Sequence, residues 1–164
     1  MTLFLSFAFE FEFVLEFLEF LEFPEFPEFP EFPFLMSQHH PSLYITTSPL
    51  GGRGVFSAAA IAAGEIIEIC QLILLSPEDL AVIHRTKLHD YYFLWGQPEG
   101  SGAIALGYGS LYNHSHQPNA YYHMDKEWET IDIIALRDIT AGEEITFNYN
   151  GDPDDHEKIW FEKD

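Results

Sequence analysis

The residues with the clearest chemical potential lie in two short segments about thirty residues apart. The first is Asn113-His114-Ser115 with Pro118-Asn119 directly behind it, and the second is Gly142-Glu143-Glu144 followed by Tyr149. Amide, imidazole and phenol groups can all hold or orient a ligand through hydrogen bonds. A single His is more often a packed core residue than a functional one. The two segments together are therefore stronger evidence for a functional site than any one of their residues.

A metal site is a second kind of chemistry that the histidines could support. His114, His116 and His123 follow one another at strand-like spacing, and three imidazoles suit zinc or iron. The single cysteine, Cys70, permits neither an internal disulfide nor a cysteine-built zinc site. We keep a metalloprotein as a minor alternative and expect no metal.

The first 36 residues differ from the rest of the 164-residue chain. They contain no Lys or Arg, eight Glu and a Pro-Glu-Phe repeat with Pro at every third position. The regular Glu residues argue against a signal peptide or a membrane span, and the prolines block a helix or a central strand. We expect residues 1–36 to be a low-complexity, extended or disordered leader, or a misassigned start ahead of Met36. An acidic-aromatic interaction tail is the alternative.

Residues 37–164 have room for one domain, and that domain is acidic. Beyond the leader, 19 acidic residues stand against 7 basic ones, a formal charge of −12. Nucleic-acid binders usually show a basic face, so we expect no direct contact with DNA or RNA and no membrane partner. An acidic surface suits a Lys/Arg-rich protein or peptide, although it also serves solubility alone.

Short apolar runs separated by Gly and Pro predict a mainly β domain that positions these groups. A helix start is also present, since Ser76 can cap, Pro77 occupies the first turn, and acidic residues follow; this helix should run to about Leu88. Residues 61–67 and 139–145 repeat one pattern, a tight Gly turn that delivers a strand. The predicted strands are 43–47, 55–56, 66–75, 91–95, 103–106 and a hairpin of 119–123 with 130–135.

Four segments, in this order along the chain, resemble those of SET-domain protein lysine methyltransferases. They are Gly51-Gly52-Arg53-Gly54-Val55-Phe56, Asp90-Tyr91-Tyr92-Phe93-Leu94, the Asn-His-Ser segment and the Gly-Glu-Glu segment that ends at Tyr149. The last two are specific as a pair, whereas a Gly-x-Gly turn alone is more often an ordinary β-turn. The resemblance is greatest to minimal, stand-alone or virus-type members.

This resemblance implies a β-clip fold of short strands with one or two short helices and a knot-like crossing that brings the two segments together. It implies S-adenosylmethionine (SAM) on one face, a peptide groove on the other and a narrow channel between them. The activity implied is transfer of methyl groups to a lysine ε-amine. The cofactor-binding residues it implies are Gly52, Arg53, Gly54, Tyr91, Asn113, His114 and Trp160.

Catalysis is assigned by the resemblance to Tyr149, with Tyr91 as a second wall, and the substrate channel to Phe147 and Tyr149. Methyl transfer to an amine is an in-line displacement, so alignment and electrostatics supply most of the acceleration. The amine must arrive neutral, and a desolvated channel beside a sulfonium lowers the pKa of lysine. Phe147 leaves more space than Tyr would, which permits higher degrees of methylation.

The chain also departs from the family pattern. His116 stands where many chromatin enzymes of the family have a Cys, and no zinc-binding cysteines follow Tyr149. Trp160 and Phe161 are therefore candidates to cover the cofactor, and a plain C-terminal helix with one packed Trp is the alternative. The substrate is expected to be a basic protein, with a histone tail as one candidate, and the location intracellular, in the cytoplasm or a eukaryotic nucleus. A homodimer is left open. The alternative function is a non-catalytic β-clip module, SAF-like or a degenerate SET domain.

Overall fold

The short apolar runs form strands, as their pattern predicts. A computed structural model describes residues 38–96 and 99–162, so the predicted leader of residues 1–36 lies outside the described residues. The strands are β1 (Gln38–His39), β2 (Leu43–Thr47), β3 (Arg53–Ser57), β4 (Ile66–Leu75), β5 (Tyr92–Leu94), β6 (Gly102–Ala105), β7 (Asn113–His114), β8 (Ala120–Asp125), β9 (Thr130–Ala135) and β10 (Glu144–Phe147).

The larger sheet is organised around β4, whose predicted bounds of 66–75 are confirmed. The strand order is β5-β6-β4-β9-β8, and β1 also pairs with β4. The first part of β4 pairs with β9 and its last four residues pair with β6. Ile67 and Cys70 of β4 and Ile131 and Ile133 of β9 are fully buried. One long strand thereby joins the hairpin β8–β9 to the edge that carries β5 and β6.

The smaller sheet has the order β2-β3-β10-β7. Its β2–β3 and β3–β10 pairs are antiparallel, whereas β10 and β7 run parallel, with Asn113 opposite Thr146 and His114 opposite Phe147. A parallel pair cannot be closed by a tight turn, and the hairpin β8–β9 lies between these two strands in the sequence. The pairing places the two chemically active segments side by side.

The two repeated Gly turns contact each other. Ile61 and Ile139 form an antiparallel bridge, with backbone hydrogen bonds in both directions of 3.0 and 2.9 Å. Gly64 and Gly142 have φ angles of +81° and +85°, which other residues rarely adopt. Both isoleucines are buried. The repeat seen in the sequence is thus a paired structural unit that delivers β4 and β10.

The predicted helix is shorter than expected. Ser76 caps helix α1 (Pro77–Ile83) through a capping box with Asp79, but the helix ends at Ile83 rather than near Leu88. Thr86 ends it, because its hydroxyl donates to the Ile83 carbonyl and accepts from the Leu88 amide, which starts a 3-10 helix over Lys87–Tyr91. Among the described residues, no helix is long and apolar enough to cross a membrane.

Candidate active site

Four hydrogen bonds join residues 114–119 to β10 and to Tyr149. The Ser115 amide donates to the Phe147 carbonyl at 3.1 Å, and the Tyr149 amide donates to Nδ1 of His114 at 3.1 Å. Asn119 is buried and donates to the Glu144 carbonyl at 2.7 Å, while its own side-chain oxygen accepts from the Thr146 amide at 2.9 Å. These bonds hold Tyr149 close to His114.

The Tyr149 hydroxyl donates to the main-chain carbonyl of Tyr112 at 2.8 Å. Burial, with smaller contributions from Tyr91, Asp90 and Glu144, raises the pKa of Tyr149 to about 12. The phenol is therefore neutral at physiological pH. Since its proton is directed to a carbonyl, what the oxygen can still offer a ligand is its lone pairs.

Two cavities adjoin at Tyr149. The aromatic cavity has a volume of about 360 Å³ and is lined in part by Phe93, Tyr122, Met124 and Phe147. The glycine cavity has a volume of about 350 Å³ and is lined in part by Gly51, Gly52, Arg53, Asn113, His114 and Phe161. Both volumes lie in the range of small-molecule sites. The residues that line both cavities are Asp90, Tyr91, Ser110, Tyr112, Tyr149 and Trp160.

Of the predicted cofactor-binding residues, all but Gly54 line the glycine cavity. Gly52 has a φ angle of +62°, and the adjoining Gly51 +127°, so this turn requires glycine. Gly54 lies on β3 and lines neither cavity; a Cβ there would overlap the Glu144 carboxylate. The missing side chain of Gly54 therefore makes room for Glu144.

Glu144 uses this space to tie three segments together. Its carboxylate accepts from the Asn113 side-chain amide at 2.7 Å and from the Ser48 hydroxyl at 2.7 Å. The same Asn113 amide group donates to the Arg53 carbonyl at 3.0 Å. The Asn113 side chain thus fixes the wall of the glycine cavity. The Arg53 guanidinium lies 5.8 Å from the ring centroid of Tyr91, which orients that ring in turn.

The C-terminal segment 159–162 packs against Tyr149. Trp160 stacks on the Tyr149 ring, with a centroid distance of 5.9 Å and an interplanar angle of 20°, and Phe161 meets the same ring edge-on. Glu162 accepts from the Ile159 amide at 3.1 Å and lies 2.9 Å from Nε2 of His116. Ile159 is buried and anchors the start of the segment. Both aromatic residues expected to cover the cofactor thus line the glycine cavity, and His116 tethers their segment.

The group of possible metal ligands differs from the His114, His116 and His123 set considered in the sequence. His114, His116 and Glu162 place one potential ligand atom each within 4.8 Å of one another, whereas His123 is exposed on β8 and lies outside this group. Nδ1 of His114 accepts the Tyr149 amide, so the proton of the neutral ring lies on Nε2. A protonated nitrogen cannot be a ligand, and metal-bound His normally donates from its second nitrogen. The donor set does not fit a metal ion.

Burial and the neighbouring His116 lower the pKa of His114, which favours the neutral ring, while Glu162 opposes the shift. Nε2 of His114 is then a buried N–H donor that has no partner among residues 38–96 and 99–162, in a residue that lines the glycine cavity. A buried unpaired donor is costly unless a ligand or water satisfies it. A ligand or water that reaches this nitrogen would have to offer a hydrogen-bond acceptor.

Sequence reasoning missed three contributors to the site. Tyr112 supplies the carbonyl that holds the Tyr149 hydroxyl, and its own hydroxyl donates to Glu68 of β4 at 2.9 Å. Asp90 lines both cavities. For Glu68, the available signal was a single charge within the apolar run Ile66-Ile67-Glu68-Ile69-Cys70. Asp90 begins the second segment of the family resemblance but was given no role, and Tyr112 gave no such signal, because its part in the site follows from the fold.

Comparison with known proteins agrees with this fold. A model of the SET domain matches residues 52–150, and the chain belongs to the SET-domain family. The mainly β fold and the class of protein-lysine methyltransferase that the resemblance predicts are confirmed, and the non-catalytic alternative is not favoured.

Particular relatives are known from sequence and from structure. A Schizosaccharomyces pombe protein named histone-lysine N-methyltransferase, H3 lysine-37 specific, is 37% identical over 112 residues, which cover 68% of this chain and 71% of that protein. A Plasmodium falciparum candidate histone methyltransferase is 35% identical, with a TM-score of 0.53 over 65% of this chain and 96% of its own. A chain of the Chaetomium thermophilum Polycomb Repressive Complex 2 is 26% identical, with a TM-score of 0.56 over 65% of this chain and 14% of its own.

Proposed function

We propose that the protein transfers methyl groups from SAM, held in the glycine cavity, to a lysine side chain that enters the aromatic cavity. The observation that carries the proposal is that the two cavities share Tyr149, Tyr91 and Tyr112 as walls. A donor bound on one side and an amine on the other would meet at these residues. In-line displacement requires that arrangement.

The glycine cavity suits the cofactor. SAM, when bound, supplies a methyl group on a positively charged sulfonium. The Gly51-Gly52 turn allows close approach of a ligand to backbone, and the unpaired N–H of His114 offers a donor to a polar acceptor. Trp160 and Phe161 provide aromatic surfaces that can cover a flat ring system. We assign cofactor binding to Gly52, Arg53, Tyr91, Asn113, His114 and Trp160, with Gly54 acting through Glu144.

The aromatic cavity suits the aliphatic stem and amine of lysine. Phe147 is only 2% exposed and packs against Tyr112 and Tyr122, with ring centroids 5.7 and 5.1 Å away. An environment of aromatic rings removes water from an ammonium group and lowers its pKa, so that the neutral nucleophile is populated. Phe147 places no hydroxyl in this wall, which leaves room for an amine that already carries methyl groups.

Tyr149 orients the amine rather than deprotonating it. A phenol with a pKa of about 12 is not a base at neutral pH. Because its hydrogen is held by the Tyr112 carbonyl, its oxygen accepts an N–H of the incoming amine. The amine lone pair then remains free to point at the methyl group. The contribution of Tyr149 is preorganised electrostatics and alignment.

The substrate class that fits is a basic protein. The domain has a formal charge of −12, and Asp90 adds a carboxylate where the two cavities meet. The names of the S. pombe and P. falciparum relatives point to histones, so a histone tail is the first candidate. Such a substrate implies action inside the cell, in the nucleus of a eukaryotic host.

The decisive experiment is transfer of labelled methyl from SAM to histones, free ribosomal proteins and an array of lysine peptides. We expect transfer by the wild type and a loss of at least about 100-fold in Tyr149→Phe. Phe keeps the stacking against Trp160 while removing the hydroxyl. Isothermal titration should show SAM binding by both proteins. Absence of SAM binding by folded wild type would refute the proposal.

A further inference from the structure

A buried carboxylate binds the hydroxyl of Tyr112, the residue whose carbonyl accepts from Tyr149. Glu68 is 0% exposed and is the third residue of the mostly apolar strand β4. Its two oxygens accept from the Tyr108 amide at 2.8 Å and from the Tyr112 hydroxyl at 2.9 Å. Burial raises the pKa of Glu68, while these two donors act against the shift. A buried carboxylate is costly unless its acceptors are satisfied, so its partners are informative.

Both donors belong to one short segment. Tyr108 and Tyr112 flank the 3-10 helix Gly109–Leu111, which begins directly against β4. A Cβ at Gly109 would lie 2.6 Å from Sγ of Cys70, so this segment sits tightly on the strand. Glu68 therefore binds this segment at both of its ends, through the Tyr108 amide and the Tyr112 hydroxyl. The Tyr112 side chain is 1% exposed and has little freedom to move.

The backbone of Tyr112 also contacts Tyr149. Its carbonyl accepts the Tyr149 hydroxyl at 2.8 Å, while its side chain is held by Glu68. Tyr112 therefore links two hydrogen bonds through its own covalent framework, one from its hydroxyl to Glu68 and one from the Tyr149 phenol to its carbonyl. Fixing one end of a tyrosine by its hydroxyl also limits the orientation of its peptide group.

We propose that Glu68 and Tyr112 are positioning residues for methyl transfer, and that they set the direction of the Tyr149 hydroxyl. With the Tyr112 carbonyl in place, the Tyr149 proton is occupied and the phenol oxygen accepts from the amine. If the carbonyl turned away, the hydroxyl could donate to the amine instead. That donation would occupy the lone pair that must attack the methyl group. This inference rests on the proposed function.

The test compares Tyr112→Phe and two variants of Glu68 with a matched core variant. Tyr112→Phe keeps the ring and the backbone and removes only the bond to Glu68. We expect its kcat to fall about tenfold, with KM for SAM within twofold of wild type. Glu68→Gln can still accept from the Tyr108 amide and donate to the Tyr112 oxygen, so its kcat should stay within about threefold of wild type. Glu68→Leu should lose at least as much as Tyr112→Phe.

Ile133→Val, a buried change on β9 at a residue that lines neither cavity, controls for lost stability, because removing a buried methyl group destabilises the fold. Kinetics should be measured well below the melting temperature of every variant. A fall in kcat of Tyr112→Phe that is less than about threefold beyond that of Ile133→Val overturns the inference. A wild type that transfers no methyl overturns the proposed function, and this inference with it. Active wild type with unaffected Tyr112→Phe overturns the inference alone.

Discussion

The backbone amide of Tyr149 donates a hydrogen bond to Nδ1 of the His114 ring at 3.1 Å. This bond fixes which nitrogen of His114 carries the proton. It also joins the backbone of the proposed catalytic residue to a side chain from the glycine cavity, so protonation of His114 would disturb both.

Stability should therefore depend on the charge of His114. Its pKa is lowered by burial, so the unfolded chain binds a proton more tightly than the folded chain in this range. The free energy of unfolding should rise as the pH increases from the folded pKa to about 6.5, and be lost in the reverse direction. Urea unfolding of His114→Asn, which keeps an acceptor for the Tyr149 amide, should show a shallower rise. His123→Asn, an exposed control, should retain the wild-type slope; equal slopes in all three proteins would contradict the prediction.

Cofactor affinity should depend on Trp160. Removing its ring uncovers Tyr149 and opens the glycine cavity, so Trp160→Ala should weaken SAM binding about tenfold, a change of about 1.4 kcal/mol. Isothermal titration measures this directly. Trp128→Ala removes another half-exposed indole, in the turn between β8 and β9, and should leave the affinity unchanged. Similar losses in the two variants would mean that the effect is not local.

Cofactor affinity should also depend on the contact between His116 and Glu162. Glu162→Gln removes the charge that faces His116 and leaves the chain length unchanged. We expect SAM to bind about two- to threefold more weakly, mainly through faster dissociation, because the segment that carries Trp160 opens more often. Stopped-flow dissociation is the measurement. An unchanged dissociation rate would show that Ile159 anchors the segment without help.

The number of methyl groups added should depend on Phe147. Phe147→Tyr places a hydroxyl in the wall of the aromatic cavity, where it takes space and can bind the amine or a water molecule. Mass spectrometry after exhaustive reaction should show a shift toward lower methylation. Phe56→Tyr, in the smaller sheet and outside both cavities, should give the wild-type products. Identical product distributions for Phe147→Tyr and wild type would contradict the prediction.

Acid stability should depend on Glu143 in the second Gly turn. The Arg137 guanidinium at 2.6 Å, helped by the Thr140 amide and hydroxyl and by Asn119, lowers the pKa of Glu143 to about 2. The folded state therefore favours the carboxylate, and this stabilisation is lost as the pH falls from about 5 to 2. Glu143→Gln should cost about 1 kcal/mol at neutral pH, because Arg137 is largely exposed. In urea unfolding the difference from wild type should shrink toward zero near pH 2. If the difference in unfolding free energy stayed constant with pH, the loss of stability would come from packing and not from the charge of Glu143.

Most of the fold was predictable because its strands are short apolar runs between Gly and Pro. The bounds of β2, β4 and β9 were predicted to the residue. The helix was not, because Thr86 ends it through two hydrogen bonds of its own hydroxyl. The repeated Gly turns could be seen in the sequence, whereas their contact through Ile61 and Ile139 is tertiary.

The site was predictable only as far as residue types and spacing reach. Asn113, His114 and Tyr149 stand in segments whose pattern is specific. Tyr112 contributes a carbonyl, which every residue has, so no pattern marks it. Gly54 was recognised as important, but the sequence could not show that the Glu144 carboxylate occupies the space where a Gly54 side chain would lie.

The parallel pairing of β7 with β10 also makes the site depend on residues that follow the larger sheet in the sequence. The strands of the larger sheet end at or before Ala135, whereas β10, Tyr149 and Trp160 lie after it. A chain shortened by premature termination, or by a protease that cuts between β9 and β10, would keep the strands of the larger sheet and lack the tyrosine and the tryptophan that complete the site.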